Sequence, residues 1–179
     1  AMAMCMEHTK TMRFGPCVTN PNTRDWSVAA SMFASLAHQS GGRFDIGLGR
    51  GDSAVRVMGQ KPAPLSRVTE FTHKVKAMVR GEEVMYGECA EPVKFTWATG
   101  YELPVWIAAY GPMALKCAGE NGDGLVLQIA EPGICKWLGD QAITAGEAAG
   151  RDMSNFRIMS AAPAMTGTMD DCIERTKWF

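Results

Sequence analysis

A run of glycines around one arginine is the clearest candidate in this chain for binding a ligand. The segment 43–51 reads RFDIGLGRG, in which an apolar strand pattern passes directly into glycines. Glycine lets backbone N–H groups approach a bound anion closely, and the Arg50 guanidinium can hold a phosphate through two parallel hydrogen bonds. A dinucleotide-binding fingerprint would need glycine where Asp52 stands, so that assignment is weak. The alternative is that these glycines only form a tight turn after a strand.

A second candidate anion site lies at residues 110–113, where Tyr-Gly-Pro-Met separates an apolar strand from a helix. Proline suits the first turn of a helix because its missing N–H would have no partner there. The neighbouring free N–H groups would point outward, where they can bind an anion. The sequence thus contains two candidate phosphate-binding elements, and each follows a strand.

The composition is that of a soluble globular protein with a single domain, residues 1–179. Hydrophobic residues make up 46% of the chain, charged residues make up 21%, and the formal net charge is −1. Because Lys and Arg form no run, we expect no nucleic-acid partner and no membrane partner. The apolar residues 1–6 are too few to span a membrane and lack the basic start of a signal peptide. We therefore expect a cytoplasmic location.

The six cysteines and three histidines are scattered along the chain without the spacing of a zinc site. We expect no metal site and no disulfide framework, with the cysteines acting as small, mostly buried hydrophobic residues in a reducing compartment. A surface or core role, rather than one as catalytic base, is expected for each histidine: His8, His38 and His73.

Strand-like apolar runs alternate with helix-length segments, which predicts an α/β fold with right-handed βαβ units and a parallel sheet. Five strands are predicted, at residues 11–19, 44–48, 105–109, 125–129 and 156–162. Helices are predicted after the N-cap Asp25, and then at residues 65–81, 112–119, 134–149 and from 170 onward. Alternating apolar residues between positions 82 and 103 predict an antiparallel hairpin outside the main repeat.

Four motifs in a fixed order give the chain a resemblance to a known family. They are Gly15-Pro16-Cys17-Val18-Thr19-Asn20-Pro21 and the segments 42–51, 104–115 and 118–124. Together they resemble the bacterial luciferase-like family of flavin- or deazaflavin-dependent oxidoreductases and monooxygenases. The resemblance covers nearly the whole chain, and it implies a TIM-type (β/α) barrel with its ligand site at the carboxyl ends of the strands.

The resemblance also implies where a coenzyme, either FMN or a deazaflavin, has its phosphate bound. Arg50 and Gly51 match the family's strand-end segment near the coenzyme phosphate. A second turn on the phosphate side is matched by Tyr110, Gly111, Pro112 and Met113. For these residues a plain structural or surface role is the alternative.

The first motif implies which residues lie beside the ring of the coenzyme. Cys17 and Val18 match a place where the family often has a non-prolyl cis peptide packed behind the isoalloxazine ring. Thr19 and Asn20 would follow that peptide into the pocket. The alternatives are that Cys17 is a core residue and that Asn20-Pro21 is a plain turn.

The length of the chain limits how much of the family's function can be expected from it. A full barrel of this type needs about 250 residues and eight strands. This chain has 179 residues and five predicted strands, so we expect a partial barrel that begins before the third barrel strand and stops after the seventh. Two functions stay open: an oxidoreductase whose coenzyme accepts or delivers hydride, and a non-catalytic partial barrel with a ligand-binding or structural role. We expect little or no turnover from the isolated chain.

A partial barrel would leave open sheet edges and exposed apolar side chains, which monomers seldom tolerate. Apolar residues near both ends of the chain add to this surface, namely Met2, Met4, Met6, Trp178 and Phe179. We expect a homodimer, because two-fold symmetry lets one self-complementary surface bury both copies.

Overall fold

The computed structural model describes residues 2–98, 100–162 and 164–177. Its elements follow one another as α1 (Met2–Glu7), α2 (Trp26–Gln39), β1 (Ile46–Leu48), α3 (Asp52–Arg56), α4 (Leu65–Val79), β2 (Val105–Ala108), α5 (Pro112–Asn121), β3 (Gly124–Leu127), α6 (Pro132–Ala148), β4 (Arg157–Ser160) and α7 (Met169–Thr176). The strands form one sheet in the order β1-β2-β3-β4, and all three pairings are parallel. The predicted α/β fold with a parallel sheet is confirmed.

The sheet has a buried side that carries the core and an exposed edge at β4. Strands β1 and β3 are buried along their whole length, whereas every residue of β4 is exposed. The core packs the strands against α2, α4 and α5, and its largest fully buried side chains include Phe33, Phe44, Ile46, Leu48, Met78, Leu103, Ile107, Leu115, Leu125 and Leu127. Burying this many apolar side chains is the main stabilising contribution to the fold.

The predicted first strand, residues 11–19, is wrong as a regular strand, so the sheet has four strands instead of five. This segment runs beside β1 with two isolated parallel bridges, Phe14 to Phe44 and Thr19 to Leu48. Pro16 has no N–H to contribute to a continuous ladder. Backbone hydrogen bonds of 2.8–3.0 Å nevertheless hold residues 14–19 against residues 43–49. The segment therefore occupies the position of a fifth strand without its regular pairing.

Four of the predicted helices begin and end close to the predicted positions. α2 starts after Asp25, whose carboxylate accepts the Ser27 N–H at 2.9 Å. α5 starts at Pro112, and α6 starts two residues earlier than predicted. The predicted terminal helix is α7, and the apolar pair Trp178 and Phe179 lies outside the described residues. The short helices α1 and α3 were not predicted, because neither is long enough to show a helical period.

The predicted hairpin between α4 and β2 is confirmed at one pair of residues. Val84 and Val93 form an antiparallel bridge and exchange two N–H···O hydrogen bonds of 2.9 Å. Farther along, the rings of Phe95 and Trp97 stack with their centroids 5.1 Å apart.

Helices α5 and α6 cross at close range because glycine stands at the crossing. A Cβ on Gly119 would overlap the Ala142 carbonyl oxygen, and a Cβ on Gly146 would come within 2.8 Å of the Gly119 carbonyl oxygen. The pair α5 and α6 therefore packs backbone to backbone beside β3.

The expectation that the cysteines are mostly buried is wrong. Cys117 is buried and Cys135 and Cys172 are half-buried, but Cys5, Cys17 and Cys89 are exposed. Cys5 lies on α1, and Cys17 and Cys89 lie in connecting segments, that of Cys17 running beside β1. Within the described ranges, no group of three His, Cys, Asp or Glu side chains is placed to hold a metal ion. Over the same ranges, no helix has the length and apolar character to cross a membrane.

Candidate functional site

A groove of about 490 Å³ opens at the carboxyl ends of the strands. Parallel strands end at the same edge of a sheet, so the residues that follow them meet there although they are far apart in sequence. The groove is lined by Cys17, Val18, Thr19, Asn20, Gly49, Arg50, Gly51, Asp52, Ser53, Ala54, Ala108, Ala109, Tyr110, Gly111, Ala114, Val126, Leu127, Gln128 and Ala161.

The structure brings most of the predicted site residues together in this groove. Those that line it are Cys17, Val18, Thr19, Asn20, Arg50, Gly51, Tyr110 and Gly111. Two predicted residues lie outside the lining. Pro112 faces a separate groove between α5 and α6, and the side chain of Met113 is 75% exposed.

The first wall of the groove is the segment that runs beside β1. The peptide bond between Cys17 and Val18 is cis, as the resemblance implies. Glycines in β1 and just after it make room for this segment. A Cβ on Gly47 would lie 2.9 Å from the Pro16 carbonyl oxygen, and one on Gly49 would lie 3.0 Å from Val18 Cγ2. These two glycines therefore allow the segment to pack closely against β1, which places Val18 in the wall of the groove.

Arg50 forms the second wall and closes the base of the loop that contains α3. Its Nε donates to the Ala63 carbonyl oxygen at 2.7 Å, and the Ala63 N–H donates to the Arg50 carbonyl oxygen at 2.9 Å. Among the described residues Arg50 makes no ion pair, and the nearby Asp52 lies 3.5 Å from Arg56. Of the Arg50 guanidinium, Nε is the group that makes a hydrogen bond within the described residues.

Asn20 is a buried polar side chain at the turn after the first wall. It is 7% exposed, and its Oδ1 accepts the N–H groups of Asn22 at 3.0 Å and of Thr23 at 3.1 Å. Gly51, with φ of 87°, packs directly on it, since a Cβ there would lie 2.9 Å from Asn20 Cγ. Asn20 therefore both shapes a turn, as the structural alternative expects, and lines the groove.

The third wall is the loop from β2 into α5. The Tyr110 hydroxyl accepts the Gln128 backbone N–H at 2.7 Å, which ties this loop to the end of β3. Gly111 is the N-cap of α5, and no side chain caps the helix there. The first intrahelical bond of 2.9 Å runs from the Leu115 N–H to the Gly111 carbonyl oxygen, so the N–H groups of Met113 and Ala114 precede it without an intrahelical acceptor. This helix start can bind an anion.

The groove contains few groups that can exchange a proton. The titratable side chains of its lining, besides Arg50, are Cys17, Asp52 and Tyr110. His8, His38 and His73 are all exposed and lie outside the lining, so of the predicted surface or core role the structure shows the surface one.

The lowered carboxyl pKa values belong to residues outside this lining. The Ser27 hydroxyl lowers the pKa of Asp25, and the Gly133 and Ile134 N–H groups lower that of Glu131. These shifts belong to helix caps, so they mark structural positions rather than a catalytic group.

Several lining residues were not predicted from the sequence. Those that end or follow predicted strands, such as Ala109 and Gln128, could have been found by applying the strand-end rule to every strand. Asp52, Ser53 and Ala54 had no such signal, because they belong to the unpredicted helix α3.

The order of the motifs, the parallel sheet and the strand-end groove correspond to one family of proteins. The sequence profile of the luciferase-like monooxygenases matches residues 1–179. The chain belongs to this family. Three of the four motifs, 15–21, 42–51 and 104–115, meet at one groove, and residues 118–124 lie outside its lining.

Two relatives of the chain are named as oxidoreductases. The chain is 33% identical over 160 residues to a 5,10-methylenetetrahydromethanopterin reductase of Methanolobus tindarius, covering 87% of this chain and 49% of the relative. It is 30% identical over 161 residues to an F420-dependent hydroxymycolic acid dehydrogenase of Mycobacterium tuberculosis, covering 84% of this chain and 44% of the relative.

A solved structure shares the fold of this chain. The coenzyme F420 dependent tetrahydromethanopterin reductase of Methanopyrus kandleri superposes with a TM-score of 0.75 at 23% identity, covering 89% of this chain and 52% of that chain. The prediction of a partial TIM-type (β/α) barrel is confirmed, since the chain superposes on about half of that structure. The chain spans about half the length of the curated relatives it matches.

Proposed function

We propose that the groove binds a flavin-type coenzyme, with the deazaflavin F420 as the first candidate and FMN as the second, in a luciferase-like oxidoreductase. The observation that carries this proposal is the convergence of three separate segments, 17–20, 50–51 and 110–111, on one groove at the strand ends. The F420 dependence named for the mycobacterial relative favours the deazaflavin.

The residues of the groove fit a planar ring that carries a phosphate. Its volume of about 490 Å³ lies within the range of small-molecule sites. Val18, Ala108 and Val126 provide an apolar surface for the ring. The uncapped start of α5 and the Nη groups of Arg50 provide donors for an anion. A ring and a phosphate would thus each find complementary groups.

The proposed chemistry is hydride transfer, which a bound flavin or deazaflavin supplies. The residues of this chain bind and orient that coenzyme and keep water from one face of its ring. Val18 is held in place by the packing against Gly49, and Tyr110 is held by the Gln128 N–H at 2.7 Å. Asp52 is the carboxyl group of the described lining and is the candidate for moving a proton.

Coenzyme binding without turnover is the second candidate function. The observation that favours it is that none of the three histidines lines the groove, since all three lie on the surface. The described lining therefore provides Asp52 as a proton carrier but no imidazole beside it.

Coenzyme titration tests the proposal. The 179-residue protein is titrated separately with F420 and with FMN, and binding is followed by the absorbance and fluorescence of each coenzyme. We expect F420 to bind at micromolar concentration and at least tenfold more tightly than FMN. If neither spectrum changes on addition of the protein, the proposed function is wrong.

A turnover assay separates the two candidate functions. Reduced F420 is mixed with the protein and with 5,10-methylenetetrahydromethanopterin, the substrate named for the Methanolobus relative. If each protein molecule oxidises many molecules of reduced F420, the result supports the oxidoreductase. Stable binding without turnover would support the second candidate.

A further inference from the structure

We infer that the outer face of α5 and α6 binds the same face of a second copy of this chain across a two-fold axis. A groove of about 550 Å³ runs between the two helices on this face. The face is separate from the coenzyme groove at the strand ends and from the exposed edge strand β4. The inference therefore does not depend on the proposed function.

The exposed face of α6 has a spacing that is symmetric about Gln141. Ile134 and Trp137 lie seven and four residues before it, and their exposed fractions are 44% and 63%. Ala145 and Ala148 lie four and seven residues after it. Intervals of four and seven residues are close to one and two helical turns, so all five side chains share one face.

Bulky side chains on one half of this face meet small ones when a second copy is turned through 180°. An axis across α6 at Gln141 places Trp137 opposite Ala145 of the second copy. The same axis places Ile134 opposite Ala148 of the second copy. Each bulky side chain thus faces a single methyl group, and the axis forms every such contact twice. An exposed tryptophan at the centre of a contact is typical of protein interfaces.

Helix α5 carries a charge pattern that is complementary to itself about the same axis. Lys116 and Glu120 line the groove. The midpoint between them lies beside Gln141, because Gly119 packs against the carbonyl group of Ala142. The axis therefore places Lys116 opposite Glu120 of the second copy, and Glu120 opposite the second Lys116. The charges on α5 and the side-chain sizes on α6 favour the same arrangement.

Gln141 lies on the inferred axis and has a polar atom without a partner. Its Nε2 is buried and makes no hydrogen bond within the described residues. Because no described acceptor holds the amide in that orientation, it can turn toward an acceptor above the groove. Two glutamine amides that face each other satisfy one another, since each has a donor and an acceptor. Asp140 next to it is paired with Lys136 at 2.6 Å, so its charge near the axis is balanced.

Sedimentation equilibrium from micromolar to submillimolar protein concentration tests the inference. We expect the mass to double over this range, relative to the species present at micromolar concentration. The contact is expected to be weak because it is formed by one shallow face with exposed charge pairs. A mass that stays constant over the whole range would overturn the inference.

A charge reversal and its compensation test which face is responsible. Lys116→Glu places like charges opposite each other across the axis and should weaken the self-association roughly tenfold. Lys116→Glu combined with Glu120→Lys makes the pattern self-complementary again and should restore it. Lys94→Glu reverses an exposed charge in the hairpin and should leave it unchanged. Equal self-association of the single and the double variant would show that the inference is wrong.

Removing the exposed indole tests the contact on α6. Trp137→Ala should weaken the self-association at least tenfold without lowering the melting temperature, because the side chain is 63% exposed. Met169→Ala removes a 74% exposed side chain of α7 and serves as the control. If Trp137→Ala associates as strongly as this control, the contact lies on another face and the inference fails.

Discussion

Lys76 on α4 and Asp123 before β3 form a bidentate ion pair, with Lys76 Nζ at 2.9 and 2.7 Å from the two carboxylate oxygens. Asp123 also accepts the Val105 N–H at 2.8 Å and donates its own N–H to the Val105 carbonyl oxygen at 2.7 Å. One residue thus joins a helix and two strands at the end of the sheet opposite the groove.

Replacing Asp123 with Ala should destabilise the protein by about 2–3 kcal/mol, because it leaves the Val105 N–H and the partly buried Lys76 without their acceptor. Urea unfolding measures the change. The control is Asp140→Ala, which breaks the exposed pair with Lys136 on α6 and should cost less than about 0.5 kcal/mol. Equal losses for the two variants would show that the Asp123 contacts contribute nothing beyond a surface pair.

Replacing Arg50 with Ala should weaken coenzyme binding by roughly tenfold to a hundredfold, because a charge-assisted contact contributes about 1.5–3 kcal/mol. The variant also loses the Nε bond to Ala63, so its melting temperature is measured beside its dissociation constant. Arg175→Ala removes an exposed cation of α7 and should leave binding unchanged. An unchanged affinity in Arg50→Ala would reject a phosphate contact for this residue.

Stability should fall in acid partly through Asp25. Hydrogen bonds from the Ser27 hydroxyl and backbone N–H hold the pKa of Asp25 below its ordinary value of 3.8. A carboxyl group with a lowered pKa in the folded state stabilises that state above its ordinary pKa, and this contribution is lost as pH falls through the lowered value.

The Asp25→Asn variant tests this pH dependence, because asparagine keeps a good N-cap without the charge. Its free energy of unfolding should be below that of the unsubstituted protein at pH 6, and the difference should shrink below about pH 3.8. Urea unfolding at several pH values gives the measurement, with Asp140→Asn on α6 as the control. A difference that is constant with pH would contradict the role of the Asp25 charge.

The protein should form a homodimer, which we propose because β4 is exposed at every residue and pairs with β3 alone among the described strands. The strand itself carries two exposed apolar side chains, Ile158 and Met159, each 39% exposed. Sedimentation equilibrium should give about twice the monomer mass of 19.4 kDa.

Met159→Lys places a charge on the β4 surface and should shift the dimer toward monomer. Val57→Lys alters an 87% exposed residue after α3 and serves as the control. A monomer for the unsubstituted protein at micromolar concentration would refute the proposal.

Much of the fold follows from local signals that can be read along the chain. Asp25 indicates the start of α2, and Pro112 indicates the start of α5. The apolar run 105–109 predicts β2. The first predicted strand failed because Pro16 interrupts the ladder, although the segment does lie beside β1. A single proline in an apolar run decides between a strand and a strand-like segment.

Most of the predicted site residues do line the groove, but the contacts between them could not be predicted from the sequence. The motifs identified Asn20 and Arg50, yet the bond of Arg50 to Ala63 depends on how a loop of a dozen residues folds back. The position of Gly51 against Asn20 likewise joins two segments distant in sequence. Such contacts depend on tertiary packing, which neither periodicity nor spacing encodes.

The pairing of Arg50 with Ala63 brings the two ends of residues 51–62 side by side at the mouth of the groove. Because the segment leaves and re-enters the fold at one point, a longer loop would add little to the free energy of closing it, whereas the fully buried Val55 anchors its helix α3. Asp52, Ser53 and Ala54 of this segment contribute to the groove wall. A substitution in this part of the loop would therefore alter the wall of the groove while leaving the strands beneath it unchanged.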